Sequence, residues 1–174
     1  MTNGFIIDDS FISKWHPRYD ETEDDEKEYG RILLAVADDI KTLGTVSKNI
    51  FIYLLNWKTP RLKGVVRLND FNLYADAIKS CLGVLEDQKL KILDDLYGVG
   101  VPFGSTILHF IYPDKFPIMD VRTVEVLHTG GYIKFKSRDA QRYPAFKAAI
   151  FSIHQQSPRW TLRQIDRALL LFIK

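Results

Sequence analysis

LDDLYGVGVPFGSTILHFIYPDKFPIMD, residues 93–120, is the stretch from which the rest of the chain is understood. Leu93 and Leu96 stand at helical spacing, Gly98-Val99-Gly100 interrupts, and Ile107, Leu108 and Ile111 resume the helical period. Two helices joined by a very tight hairpin follow from this pattern. Glycine at both turn positions permits positive φ and leaves the backbone N–H groups unshielded. Those amides lie beside the start of the second helix, where Pro102 occupies a first-turn position that tolerates proline. Orphan N–H groups and the helix dipole together make an anion site, with phosphate as the natural occupant.

Outward from the hairpin, helical periods continue in both directions. Residues 8–15 give a short helix ending before Pro17, and 20–43 a longer one with an apolar face of Ile32, Leu33, Val36 and Ile40, closed by Gly44. Residues 45–57 form a strongly apolar helix expected at the centre of the molecule, stopped by Pro60. Phe71 to Leu82 and Glu86 to Leu96 follow, the latter being the first hairpin arm, with Leu90, Leu93 and Leu96 on one face. Val101 or Pro102 to Tyr112 is the second arm, and Gly104 falls at the crossing, where a small residue allows close approach. After a turn at Pro113-Asp114-Lys115, Phe116 to Met119 runs extended to Asp120, which is placed to cap a helix over 121–127. Helices over 139–155 and from Leu162 onward complete the chain, the last opened by the capping box Thr161-Leu162-Arg163-Gln164. The fold is expected to be all-α. One domain is expected, with room for two lobes: 1–43 plus the C-terminal helices, and 45–128 with the hairpin at 93–112.

The composition, 46% hydrophobic and 13% aromatic over 174 residues, suits a packed globule. A single cysteine, Cys81, excludes an internal disulfide and a cysteine-built zinc or iron–sulfur site. His16, His109, His128 and His154 show no metal-ligand spacing, so no metal is expected. Phe5-Ile6-Ile7 is followed at once by Asp8-Asp9, and no apolar run approaches ~18 residues, so neither a signal peptide nor a membrane span is expected and a cytoplasmic monomer is the default. The net charge of +2 conceals −7 over residues 1–40, concentrated at Asp20–Glu26, and +9 over the remainder. The acidic run reads as a dipole-favoured helix start, or as a mask or partner surface. The basic remainder is compatible with a nucleic-acid partner and equally with ordinary solubility.

The pattern L-x-x-L-Y-G-V-G-x-x-x-G-x-x-I-L, followed by P-x-x-D, resembles the helix-hairpin-helix (HhH-GPD) DNA glycosylase superfamily. The resemblance implies a glycosylase-like helical bundle acting on double-stranded DNA. It implies that the amides of Gly98, Gly100 and Val101 grip a phosphate, with a monovalent cation at the hairpin carbonyls as the one candidate cofactor. It also implies that Asp120, 18 positions beyond Pro102, supports cleavage of the base–sugar bond. Members that also cut the strand carry lysine where Pro102 stands here, so hydrolysis of the glycosidic bond alone is implied. The segment after the apolar helix would supply wedge and pocket residues, by position Asn56, Trp57 and Lys58. Trp57 then either stacks on a base or belongs to the core, and Lys58, Arg61 and Arg122 are candidates for backbone contacts. Lys134, Lys136 and Arg138 form a second candidate segment. Two other classes fit the same residues: a non-catalytic helix-hairpin-helix DNA-binding module, and a protein-interaction domain using the hairpin as a corner.

Overall fold

A computed structural model describes residues 5–19, 23–58 and 65–172, the side chains of 23–25 excepted. Among the described residues the chain forms nine α-helices and no strand, as the helical periods require. They are α1 (Asp9–Trp15), α2 (Glu23–Leu43), α3 (Lys48–Lys58), α4 (Phe71–Gly83), α5 (Glu86–Asp94), α6 (Gly100–Ile111), α7 (Val121–Thr129), α8 (Tyr143–Gln156) and α9 (Leu162–Phe172). No helix among the described residues is long and apolar enough to cross a membrane.

Local chemistry sets most of the boundaries. The Asp8 carboxylate accepts the Phe11 amide at 2.9 Å and opens α1. Gly44, at φ +66°, closes α2. Asp39 Oδ2 accepts both the amide and the hydroxyl of Ser47, at 2.7 and 2.6 Å, so α3 begins beyond that corner rather than at Thr45. The Thr161–Gln164 capping box forms as expected, with reciprocal bonds of 2.9 and 3.2 Å. α8 starts at Tyr143 rather than Asp139, because Asp139 folds back to accept the Arg142 amide at 2.9 Å. Pro60 and Arg61 lie outside the described residues.

Packing follows two sets of neighbours: α2 to α6 lean on one another, and α1, α7 and α8 lean on α9. A single hydrophobic cluster runs through both sets, from Ile12 and Ile32 through Phe51, Leu93 and Phe110 to Phe146 and Leu169. The central helix is α6, not α3. α3 buries Phe51, Leu54 and Leu55 on one face, whereas Phe103 to Phe110 of α6 are buried without a break. Small residues explain the difference. A Cβ at Gly104 would meet Leu90 Cδ1 at 3.2 Å and Leu93 Cβ at 3.3 Å, so the hairpin arms cross nearly backbone to side chain.

The hairpin has the predicted dihedral pattern, with Gly98 at φ +78° and Gly100 at φ +59°. Its outer edge is held by Tyr74, whose hydroxyl donates to Tyr97 O at 2.8 Å and accepts the Arg67 amide at 3.1 Å. Beyond α6 the chain crosses the core in extended form, with Phe116, Ile118 and Met119 almost fully buried. Three side chains satisfy the backbone there. His109 Nδ1 donates to Phe116 O at 2.9 Å, the Tyr143 hydroxyl donates to Pro117 O at 2.8 Å, and Ser105 Oγ accepts the Met119 amide at 3.0 Å. His109 Nε2 accepts the Tyr29 hydroxyl at 2.9 Å, and burial pushes the imidazole down to about 4, so it stays neutral and keeps this tautomer.

Gly98→Ala tests the hairpin directly. A Cβ there would sit 3.1–3.2 Å from Val65 side chain and backbone atoms, at a φ that side chains rarely adopt. The substitution should cost about 1–3 kcal/mol, read as a lowered midpoint of chemical denaturation. An unchanged midpoint would mean that the turn does not hold this conformation.

Candidate functional site

The extended segment delivers Asp120 to the start of α7, where it acts as the predicted cap. Asp120 Oδ1 accepts the Arg122 amide at 3.0 Å, and Thr123 Oγ1 accepts the Asp120 amide at 3.0 Å. Its other oxygen meets a partner from a distant part of the chain. Lys58 Nζ, on the last residue of α3, donates to Asp120 Oδ2 at 2.8 Å, with only 13% of the Lys58 and 23% of the Asp120 side chain exposed. Burial favours the neutral acid, but the Lys58 ammonium and the Arg122 amide outweigh it and hold the carboxyl below the usual range. Asp120 is therefore a pinned, half-buried carboxylate.

This pair borders a cavity of about 750 Å³ between the hairpin and α9. Val99, Pro102 and Phe103 bring the hairpin to it, Trp57 and Lys58 bring the end of α3, and Arg122 and Arg138 are exposed side chains at its edge. Hairpin residues and Asp120 thus border one concavity. A larger cavity of about 960 Å³ lies between α5 and α8, around Leu90, Tyr143 and Phe151. It contains none of the expected residues, and we assign the site by chemistry rather than size.

Each expected residue can now be placed. Trp57 is a wall of the cavity, its ring edge-on to Phe110 at 5.0 Å between centroids, rather than a projecting wedge. Lys58 is committed to Asp120, and Arg122 is exposed above it. Gly98 and Gly100 form the turn, and Val101 is buried in the first turn of α6. Arg61 is not among the described residues. Lys134, Lys136 and Arg138 are exposed, as a phosphate-contacting segment requires. Among the described residues, no group of three or more His, Cys, Asp or Glu side chains is placed to hold a metal ion.

Two residues at the floor went unremarked in the sequence. Arg163 Nη1 and Asp166 Oδ2, one turn apart on α9, form a 2.8 Å ion pair with 5% and 7% of their side chains exposed. The Arg163 guanidinium lies 5.0–5.1 Å from the ring centres of Tyr19, Tyr29 and Trp57, a cage of cation–π contacts. Burial raises the Asp166 carboxyl above its ordinary value despite Arg163. The available signal was an opposite-charge pair at i, i+3 among the apolar residues Leu162, Ile165 and Leu169. Glu26, from the acidic run, reaches α9 as well and pairs with Arg167 at 2.8 Å.

Comparison with models of protein families, with curated proteins and with solved structures finds no match to this chain.

The Lys58–Asp120 pair has a pH signature. Because the folded carboxyl lies below the ordinary 3.8, the pair's contribution to stability is present above that value and is lost as pH falls through the lower, folded one. In Lys58→Met the ammonium no longer opposes burial, and Asp120 should titrate higher than in the wild-type protein. Carboxyl-carbon NMR titration of both proteins reads this. Identical curves would show that Lys58 does not set the charge of Asp120.

Proposed function

We propose that the chain is a monofunctional DNA N-glycosylase, acting as a monomer on double-stranded DNA and hydrolysing the bond between a flipped, damaged or mismatched base and its sugar. The observation that carries this reading is the convergence of the hairpin and an ionised, pinned Asp120 on one cavity with room for a nucleotide.

The chemistry follows from charge. A base inside the stack is out of reach, so the nucleotide must be extruded into the cavity. Departure of the base leaves an oxocarbenium-like sugar, whose positive charge a fixed carboxylate stabilises while water attacks. Asp120 fills that role, since its two hydrogen bonds hold it ionised and in place before substrate arrives. Arg122 and Arg138 would hold the flanking backbone as exposed cations, and Gly98 and Gly100 would present amides to a phosphate. The hairpin carbonyls, of which Leu96 O and Tyr97 O each already accept one hydrogen bond, would hold a monovalent cation that adds positive charge beside that phosphate. With proline at 102, the hairpin has no amine there for strand cleavage.

A second reading draws on the same ion pair. Lys58 already occupies Asp120 Oδ2, which suits a non-catalytic binding module in which the aspartate only caps α7.

Base release from duplexes bearing a panel of lesions separates the two. Asp120→Asn keeps a capping side chain and loses the charge, so single-turnover release should fall by about 10²-fold or more while duplex binding persists. Binding by both proteins with no release by either would leave the binding module in possession.

A further inference from the structure

One aromatic side chain stands apart from the rest. Among the described residues Tyr97 is the only Phe, Tyr or Trp with most of its surface in solvent, at 60% exposed. It belongs to the hairpin turn, one residue before Gly98 and two before Val99, which lines the cavity although Tyr97 does not. Two peptide units span at most ~7 Å, so the hairpin carries an open ring close beside the cavity and outside it.

That ring is held in place. The buried Tyr74 hydroxyl donates to Tyr97 O at 2.8 Å and accepts the Arg67 amide at 3.1 Å, so one side chain ties both backbones. The guanidinium of Arg67, itself exposed, lies 4.4 Å from the centre of the Tyr97 ring. A guanidinium stacked on a ring covers one face and leaves the other open. Val65, also exposed, lies against Gly98, so apolar surface and a cation share the edge of the turn. Isolated apolar side chains are common on surfaces, but a ring fixed at its backbone and braced from one side is preorganised for contact.

The chemistry of the ring and its cation selects the partner. An open aromatic face beside an arginine suits a flat ring carried on an anionic chain, since the ring stacks while the guanidinium meets the charge. An unpaired nucleobase on its phosphate backbone is such a group. A base inside an intact duplex has both faces covered by its neighbours and offers none.

From this geometry we infer that Tyr97, braced by Arg67, is a stacking platform for an unpaired base next to the phosphate at Gly98 and Gly100. The inference rests on the DNA partner of the proposed function and not on base release.

Two duplexes that differ in one group test it. Each carries a one-nucleotide bulge, whose extra residue bears 2-aminopurine in one and is a baseless tetrahydrofuran in the other. By fluorescence anisotropy of a distal dye, the wild-type protein should bind the 2-aminopurine duplex about tenfold more tightly. The 2-aminopurine emission should fall on binding as the base stacks. Tyr97→Phe should keep both effects and Tyr97→Ala should lose both. The ring is exposed and the bond to Tyr74 is made by the backbone, so both variants should fold. Equal binding of the two duplexes, a preference or quench unchanged in Tyr97→Ala, or no binding of either duplex would each overturn the inference. A Tyr97-dependent preference in a protein that releases no base from any duplex would keep the platform and remove the glycosylase. Base release by a protein indifferent to the bulged base would keep the glycosylase and remove the platform.

Discussion

A buried stretch of non-helical backbone governs this molecule. Phe116 to Met119 pass through the core without a ladder of their own, and every carbonyl or amide left unpaired there would cost about 1–3 kcal/mol. Their partners come from α6 and α8: His109 and Ser105 on one side, Tyr143 on the other. α6 must therefore lie at the centre, close enough for a histidine and a serine to reach the crossing strand of chain. Gly104 allows its hairpin partner α5 to approach as closely from the opposite side. The end of the buried segment is Asp120, so the packing that satisfies the backbone also positions the carboxylate.

Around that carboxylate the charges alternate. Lys58 faces Asp120, and deeper in, Arg163 faces Asp166. Buried ion pairs rarely add net stability, because desolvation offsets their attraction, and removing one partner is the costly event. Two such pairs beside one cavity are better explained by what they hold in place. Lys58 keeps Asp120 ionised although it is half-buried, and Arg163, held in its aromatic cage, pairs with Asp166. A cavity built this way presents fixed charge to an incoming group and needs little rearrangement to do so.

The parts legible in the sequence were those that depend on neighbours along the chain. Gly98 and Gly100 announce a turn of positive φ, Asp120 and Thr161 announce helix starts, and the leucines of α5 announce a buried face; the all-α class follows from such local signals. Long-range pairings were not legible. Lys58 and Asp120 are 62 residues apart, and nothing local to Lys58 says that it turns inward. α6 is the more apolar of the two by sequence, but that it rather than α3 is central shows only in the packing, where the small Gly104, Ser105 and Thr106 let other helices surround it. Trp57 could be placed on either side of the wall only once Phe110 and Arg163 were seen to enclose it.

The most direct measurement of the central claim, that Asp120 stands ready to stabilise a cationic sugar, compares two uncleavable duplexes. One carries a neutral tetrahydrofuran abasic site and the other a pyrrolidine ring protonated at neutral pH, resembling the charged transition state. The account predicts that the wild-type protein binds the pyrrolidine duplex at least about tenfold more tightly and that Asp120→Asn loses this preference. Equal affinity of the wild-type protein for the two duplexes would contradict it.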